Sequence, residues 1–162
     1  MASENEDVKV YTRCVMPLGV VNRNNRKYSE EVVQTALDGL NGQPVPVRLG
    51  MPREDRRPEE APEIHLGDIQ GFAYLSIKDH CLVSELRIQK ATDIGKFICK
   101  GLDDKTLVPA PFGTGNAKPI DGVNEISDFS LYGIGIIDRQ RSAWETADKP
   151  TGKIRSCYGF QE

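Results

Sequence analysis

Two stretches in the middle of the chain alternate apolar and polar residues at period two, and this alternation constrains the fold more than any other feature. Every second residue is apolar or small over residues 69–75, and the alternation resumes over residues 82–88. Alternation of this kind predicts half-buried strands, since successive side chains of a strand point to opposite faces. The polar tripeptide Lys78-Asp79-His80 lies between the two stretches. The sequence therefore predicts a β-hairpin formed by residues 64–75 and 81–88.

Two other segments carry helical spacing. Ser29 is suited to an N-cap and precedes two glutamates, which the first turn of a helix favours. Asn41-Gly42 is a suitable stop for this first helix. Thr92 or Asp93 caps a second helix, with Gly101 near its end. The predicted apolar faces of the two helices are Val32, Val33, Ala36, Leu37 and Leu40 in the first, and Ile94, Phe97, Ile98 and Leu102 in the second.

The remaining segments complete an α+β pattern. Residues 8–16 predict a first strand, residues 44–49 an edge strand because of their two prolines, and residues 129–137 a central strand. A further strand starts at Leu107, and the glycines of residues 113–116 and 121–122 predict a loop. The resulting order is strand, helix, strand, hairpin, helix, strand, strand. This order predicts a curved, mostly antiparallel sheet or barrel carrying two helices.

The length of 162 residues favours one domain. We assign it to residues 1–138, with residues 51–63 as an exposed loop because they combine three prolines with mixed charge. Residues 139–162 are interpreted as a C-terminal extension that packs on this domain or on a partner. The extension carries the single tryptophan, Trp144, and a candidate last strand over residues 154–160.

Composition excludes several classes of function. The net charge is −3, which argues against a general nucleic-acid binder. No apolar run approaches the ~20 residues that a membrane-spanning helix needs, and the acidic first residues do not predict a signal peptide. Four cysteines without a Cys-x-x-Cys pair are typical of reduced thiols in a cytosolic product. No metal site, cofactor or small-molecule ligand is expected.

The short motif before the first predicted helix is compact and typical of one protein family. Residues 20–28 read Val-Val-Asn-Arg-Asn-Asn-Arg-Lys-Tyr. The motif and the helix after it resemble the N-terminal signature of the prohead core (capsid maturation) serine proteases of large tailed phages. Segments of residues 46–52, 64–88, 92–102, 108–115 and 129–138 resemble later parts of that family in the same order. The resemblance implies a prohead-protease-like fold, in which the motif is architectural through Asn22, Arg23, Asn24, Arg26 and Tyr28.

The resemblance also implies where a catalytic apparatus would lie. The family histidine falls on Met51, and the family serine falls on Ala110 or Pro111, or on Pro109 after a shift of one residue. The family acid falls on Ile137, one residue before Asp138. A thioether and apolar side chains can neither accept the proton nor attack the carbonyl, and proline lacks the N–H groups of an oxyanion hole. The expectation is a catalytically degenerate member of the family that is not an enzyme.

Two alternatives to degeneracy stay open. In the first alternative His65 is a relocated catalytic base. The competing interpretation of His65 is a polar residue at the start of a strand, without a catalytic role. Ala110 would be an engineered replacement of a catalytic serine, although this would leave Met51 unexplained. His80 is interpreted as a solvated loop histidine, and Ser127 and Ser130 as surface or strand residues.

The expected function is that of a structural virion protein, a head decoration or cement protein bound to the major capsid protein. Copies of itself or other head proteins are further candidate partners, and the chain is expected in the capsid after synthesis in the host bacterial cytoplasm. The expected partner-binding residues are Arg53, Arg56 and Arg57 of the exposed loop and Trp144 of the extension. The alternatives are an active prohead maturation protease with a relocated base or nucleophile, and an internal scaffold or assembly factor.

Overall fold

The computed structural model of the protein describes residues 7–50 and 68–139. The two helices of this part are α1 (Glu30–Asp38) and α2 (Asp93–Asp104). Its strands are β1 (Val8–Pro17), β2 (Arg26–Lys27), β3 (Val45–Leu49), β4 (Gly71–Lys78), β5 (Cys81–Gln89), β6 (Leu107–Ile120) and β7 (Val123–Asp138). The predicted order of elements is confirmed, with β2 as a short addition.

All strands belong to one curled, mixed sheet. The order is β1-β5-β4-β3-β7-β2, and β6 pairs with β7. The pairs β1–β5, β4–β5, β3–β4 and β6–β7 are antiparallel, whereas β7 pairs in parallel with β2 and β3. The α+β class with a curved, mostly antiparallel sheet and two helices is therefore confirmed.

The hairpin of β4 and β5 follows the period-two pattern. Asp79 and His80 form its turn with positive φ angles of 54° and 63°, which is the geometry that matches the twist of paired strands. Four alternate residues of β5 are fully buried: Leu82, Ser84, Leu86 and Ile88. Strand β4 begins at Gly71, and residues 68–70 before it are not part of the strand, so the predicted start at residue 64 is too early.

Helix α1 starts as predicted and ends earlier. The Ser29 hydroxyl accepts a hydrogen bond from the Val32 N–H at 3.2 Å. Val33 and Ala36 are buried against the sheet. The helix ends at Asp38 with Gly39 as its cap, and the left-handed residues Asn41 and Gly42 belong to the connection that follows.

Helix α2 is held against β1 by a polar cluster. The Thr92 hydroxyl caps its start by accepting from the Gly95 N–H at 2.9 Å. The Tyr11 hydroxyl lies 3.1 Å from the Cys99 carbonyl oxygen and 3.0 Å from Asp103 Oδ1, and Lys9 Nζ lies 2.9 Å from both oxygens of Asp103. These contacts, together with burial of Ile98 and Leu102, fix the helix on the inner face of the sheet. The other two residues of its predicted apolar face are exposed, since Ile94 and Phe97 point to solvent.

Two strand assignments differ from the sequence prediction. Strand β3 lies inside the sheet, because residues Val45–Val47 pair with β4 and Val47–Leu49 pair with β7. This stagger leaves Pro46 outside the pairing with β7, so its missing N–H is tolerated in a central strand. Residues 113–116 are part of β6, where register shifts between Phe112 and Gly113 and between Thr114 and Asn116 replace the predicted loop. The predicted turn at Asp121-Gly122 is present, with φ angles of 53° and 82°.

The exposed loop of residues 51–63 and the extension of residues 140–162 lie outside the described residues, so their boundaries stay predictions. The candidate strand of residues 154–160 also falls there. Neither helix of the described part has the length and apolar character of a bilayer-spanning segment.

Candidate functional site

The positions that the protease resemblance singles out converge on strand β7. In one cross-strand row Ala110 of β6 pairs with Gly135, which pairs with Arg48 of β3. In the next row Pro109 pairs with Ile136, and the Gly50 N–H donates to the Ile136 carbonyl at 2.8 Å. Gly50 is the last described residue before Met51, so the structure places the proposed serine positions on β6 beside β7 and leaves the proposed histidine position a prediction.

The side chains at this site are apolar. Ile136 is fully buried in the core, and Pro109 shares its face because paired residues of neighbouring strands point the same way. Ala110 points to the opposite face and is only 7% exposed. Ile137 is half-buried, and Asp138 is exposed at the end of β7. Strand β6 therefore places a methyl group, rather than a hydroxyl, opposite Gly135, and proline rings opposite Ile134 and Ile136.

Pro109 and Pro111 also shape the free edge of β6. Within the described residues β6 pairs with β7 alone. An antiparallel ladder uses the N–H groups of alternate residues, so the bonds to β7 come from Val108, Ala110 and Phe112 while the two prolines face the open edge. An extended peptide added at this edge would find no donors at Pro109 and Pro111.

His80, the one histidine among the described residues, contacts the first helix. His80 Nδ1 contacts Glu30 Oε2, which joins the turn of the hairpin to the first turn of α1. This hydrogen bond raises the pKa of His80, and the attraction of the Glu30 carboxylate adds to it. The imidazole is exposed, in agreement with its interpretation as a solvated loop histidine. His65 and Met51 lie outside the described residues.

Ser127 and Ser130, which are predicted to be surface or strand residues, both lie on β7. Ser127 Oγ lies 3.5 Å from the Asn116 carbonyl oxygen across the β6–β7 ladder. Ser130 is exposed on β7 opposite Thr114. Within the described residues no group of three His, Cys, Asp or Glu side chains is placed to hold a metal ion.

The outer surface of β1, β5 and β4 carries a groove that sequence reasoning missed. The groove has a volume of about 750 Å³. We call the surface that lines it the outer hairpin face. It consists of Val8, Val10, Pro44, Ile69, Gln70, Gly71, Phe72, Tyr74, Arg87 and Gln89. Val10 is 54% exposed, Phe72 47% and Tyr74 42%. These side chains point away from the core, on the face of a strand where polar residues are usual. Exposed apolar residues on such a face mark a candidate interaction surface.

Arg87 lies at the centre of the outer hairpin face. The register places it between Val10 of β1 and Phe72 of β4. Its guanidinium carbon lies 5.1 Å from the centre of the Tyr74 ring, and its Nε donates to Glu85 Oε2 at 2.8 Å. Aromatic residues and arginine dominate the energetics of protein interfaces. The groove therefore has the composition of a protein-binding surface.

The Asn22 motif forms a closed loop. Asn22 is buried, and its side-chain Oδ1 accepts from the Asn24 N–H at 2.8 Å and from the Arg26 N–H at 3.0 Å. Asn25 adopts a left-handed conformation, with φ of 62°. Beyond the loop, the Tyr28 ring meets the Phe129 ring edge-on with centroids 5.2 Å apart. The motif thus positions β2 and the start of α1 against β7, and Arg23 belongs to the same turn.

Replacing Asn22 with alanine is expected to lower the free energy of unfolding by about 1–3 kcal/mol. Two part-buried N–H groups would lose the acceptor that the buried Asn22 side chain supplies, and a donor left unsatisfied retains its desolvation penalty. Urea unfolding of the variant measures the loss. Asn22→Asp is the matched control because it keeps an acceptor oxygen, and it should lose less than the alanine variant. Equal stability of wild type and Asn22→Ala would contradict an architectural role.

Comparison with known proteins defines the class of fold. No model of a protein family matches the chain, and no curated protein matches it. Among solved structures, the chain is similar to the bacteriophage T4 capsid assembly protease, gp21, with a TM-score of 0.60 and 17% sequence identity. The likeness covers 79% of this chain and 80% of that chain. The chain therefore has a prohead-protease-like fold, as the sequence motifs predicted.

The predicted site residues divide into two groups. The structure places Ala110, Pro109 and Pro111 beside β7 and folds the Asn22 motif into one turn. Six others lie outside the described residues, so their roles stay predictions: Met51, His65, Arg53, Arg56, Arg57 and Trp144. The outer hairpin face had a signal in the sequence, since Phe72 and Tyr74 occupy the polar phase of an alternating strand.

Proposed function

We propose that the chain is a non-enzymatic head decoration or cement protein that binds the major capsid protein through a prohead-protease-like fold. The observation that carries this proposal is the composition of the β3–β7–β6 site. Ala110 and two prolines occupy the positions where the resemblance puts the nucleophile, and nucleophilic catalysis of acyl transfer needs a hydroxyl or thiol there.

The open edge of β6 supports the same reading. Proteases commonly hold a substrate in extended form, and an edge strand supplies the backbone donors and acceptors for this. Pro109 and Pro111 remove the donors next to Ala110. Even with a hydroxyl at position 110, an extended peptide would bind weakly along this edge.

The outer hairpin face supplies a contact surface for the capsid. Its apolar side chains stay in solvent within the described part of the chain, and Arg87 and Glu85 give it a charged pair for alignment. Burial of such a surface stabilises an interface by roughly 25 cal/mol per Å² of apolar area. Arg53, Arg56, Arg57 and Trp144 are further proposed contacts from the loop and the extension.

Repetition of binding sites strengthens this mode of binding. A capsid displays many copies of one protein, so a chain that contacts more than one capsid subunit gains avidity from modest individual contacts. The T4 protein of similar fold is named a capsid assembly protease. A fold that works beside shell subunits is a plausible origin for a protein that stays bound to them.

A second candidate function, an active maturation protease, is favoured by that likeness in fold. In this case His65 or another group outside the described residues would supply the base. A third candidate function is that of an internal scaffold or assembly factor. In this case the chain would be removed from the particle before maturation. Each alternative differs from the decoration role in the outcome of one experiment. The scaffold role differs in the content of mature particles, and the protease role differs in a cleavage assay.

The content of mature particles tests the decoration role. Purified mature particles are expected to contain the intact chain, at a copy number relative to the major capsid protein that matches the shell symmetry. Quantitative mass spectrometry with isotope-labelled peptides of both proteins measures this ratio. Presence in immature heads and absence from mature ones would instead establish the scaffold role.

A cleavage assay tests the protease alternative. Purified chain incubated with the capsid and core proteins of its particle is expected to leave them uncut. Cleavage that a serine-reactive probe abolishes would overturn the non-enzymatic proposal. Cleavage that persists in the presence of the probe and disappears after further purification identifies a contaminating protease.

A further inference from the structure

We propose that Cys14 and Cys81 form an oxidisable dithiol, in which a hydroperoxide oxidises Cys81 and Cys14 then closes a disulfide between β1 and β5. The inference rests on the placement of the two thiols and does not depend on the proposed function. No local pattern in the sequence indicates it, because 66 residues lie between the two cysteines that the sheet brings together.

The register of β1 and β5 creates the pair. Cys14 pairs with Val83, whereas Met16 pairs with Leu82 and Pro17 with Cys81. The extra residue, Val15, forms a bulge, so Cys14 and Cys81 become neighbours on the outer face across an irregular stretch of the ladder. Both cysteines are half-buried, and the interaction between their thiols is the largest influence on the pKa of each.

The bulge also permits the movement that a disulfide requires. Bond formation brings two sulfur atoms from contact to about 2.05 Å, with Cβ atoms about 3.8 Å apart. A regular ladder would hold diagonal neighbours farther apart than this. At the bulge the ladder is already interrupted, and β1 is an edge strand of the described sheet. The ladder therefore constrains the Cys14 backbone less than a regular pairing would.

The surroundings assign different roles to the two thiols. The hydrogen bond from Cys14 lowers the pKa of Cys81 to about 7, and nearby His80 acts in the same direction against burial and Asp79. The same hydrogen bond, together with burial, raises the pKa of Cys14. Glu30 keeps His80 protonated over a wider pH range, since it raises the pKa of that imidazole. Cys81 is thus the attacking thiolate and Cys14 the resolving thiol.

The reaction balances with a hydroperoxide as the oxidant. The Cys81 thiolate attacks the O–O bond of hydrogen peroxide, gaining an S–OH group and releasing hydroxide. Cys14 sulfur then attacks Cys81 sulfur, the S–O bond breaks, and the leaving hydroxide takes the Cys14 proton. Two thiols lose two electrons and two protons, and one peroxide becomes two waters.

Oxidation would join the edge strand to the hairpin. A disulfide that closes a long loop stabilises a fold chiefly by restricting the unfolded chain, so the Tm of the oxidised protein should rise by ~5–15 °C. Under the proposed function, the chain would assemble with reduced thiols in the cytoplasm and meet oxidants after release of the particle.

Treatment of the full-length, reduced chain with hydrogen peroxide tests the proposal. The free thiols are expected to fall from four to two, and peptide mapping should find Cys14 linked to Cys81. Dithiothreitol should restore all four. Cys99→Ser is the matched control, since Cys99 is buried on α2, and its thiols should fall from three to one.

Trapping of the sulfenic acid assigns the order of events. In Cys14→Ser, dimedone should label Cys81, and in Cys81→Ser the label on Cys14 should drop at least ~10-fold. Four persistent thiols in the wild type, a linkage through Cys99 or Cys157, or equal labelling of Cys14 in Cys81→Ser would each overturn the proposal. Circular dichroism of each variant confirms that it is folded.

Discussion

The double variant Phe72→Ala/Tyr74→Ala is expected to bind shells that lack the chain at least ~100-fold more weakly than the wild type does. Both rings lie on the outer hairpin face, and removal of a buried aromatic anchor from an interface typically costs about 2 kcal/mol or more. The two effects are not strictly additive, so ~100-fold is the lower end of the expected loss. Co-sedimentation of the chain with purified shells measures the affinity.

The control for this prediction is a second aromatic pair, in which Tyr132 is exposed and Phe112 is half-buried. Phe112 and Tyr132 meet edge-on with centroids 6.1 Å apart on β6 and β7, outside the outer hairpin face. Phe112→Ala/Tyr132→Ala should retain binding within a few-fold of the wild type. Thermal unfolding shows whether each variant is folded, since Phe72 and Tyr74 are both more than 40% exposed and should tolerate truncation. Equal losses in both double variants would contradict the assignment of the surface.

Replacing Gly95 with alanine is expected to lower the free energy of unfolding by about 3 kcal/mol. A Cβ atom at this position of α2 would lie 2.0 Å from the backbone carbonyl oxygen of Gln89. Backbone atoms of β5 cannot move away as a flexible side chain would. The start of α2 must therefore shift, which weakens the Thr92 cap and the packing of Ile98.

Gly39→Ala is the matched control for the Gly95 variant. A Cβ at Gly39 would lie 3.4 Å from the Ala36 carbonyl oxygen, an ordinary contact distance, and its φ of −67° suits any residue. The control should change the free energy of unfolding by less than about 1 kcal/mol. Urea unfolding of the two variants gives the comparison. A Gly95→Ala variant as stable as Gly39→Ala would show that α2 is not seated closely on β5.

Local signals explain the parts of the fold that the sequence predicted. The β4–β5 hairpin depends on alternation and on a turn, both of which lie within a short stretch of chain. The two helices begin at side chains that accept from their own first turns, Ser29 and Thr92. These features are decided by neighbours in sequence, so the residue types alone were sufficient.

The errors concern contacts between distant segments. Pro46 indicated an edge strand, yet the offset between the two partners of β3 makes room for it. The glycines of residues 113–116 indicated a loop. In the structure a side chain at Gly113 would lie 2.2 Å from the Ser130 carbonyl oxygen, so close approach of β7 explains this glycine. Phe97 fits a helical apolar stripe, but it lies on the side of α2 that faces solvent and is 55% exposed.

The candidate site was predictable only in part. The resemblance pointed to Ala110, but period and composition could not place it opposite Gly135 of β7. The outer hairpin face depends on which side of β4 the helices cover, and no local pattern decides this. The proximity of Cys14 to Cys81 depends on the register of β1 and β5 and on the bulge at Val15, which shifts that register by one residue.

The prolines of β6 have one more consequence. Exposed edges of sheets are the usual starting points for runaway strand stacking between identical chains. Pro109 and Pro111 interrupt the donor pattern along the first half of β6, and the register shifts twist the second half. The two prolines therefore disfavour pairing between the β6 strands of two copies of the chain along residues 109–111.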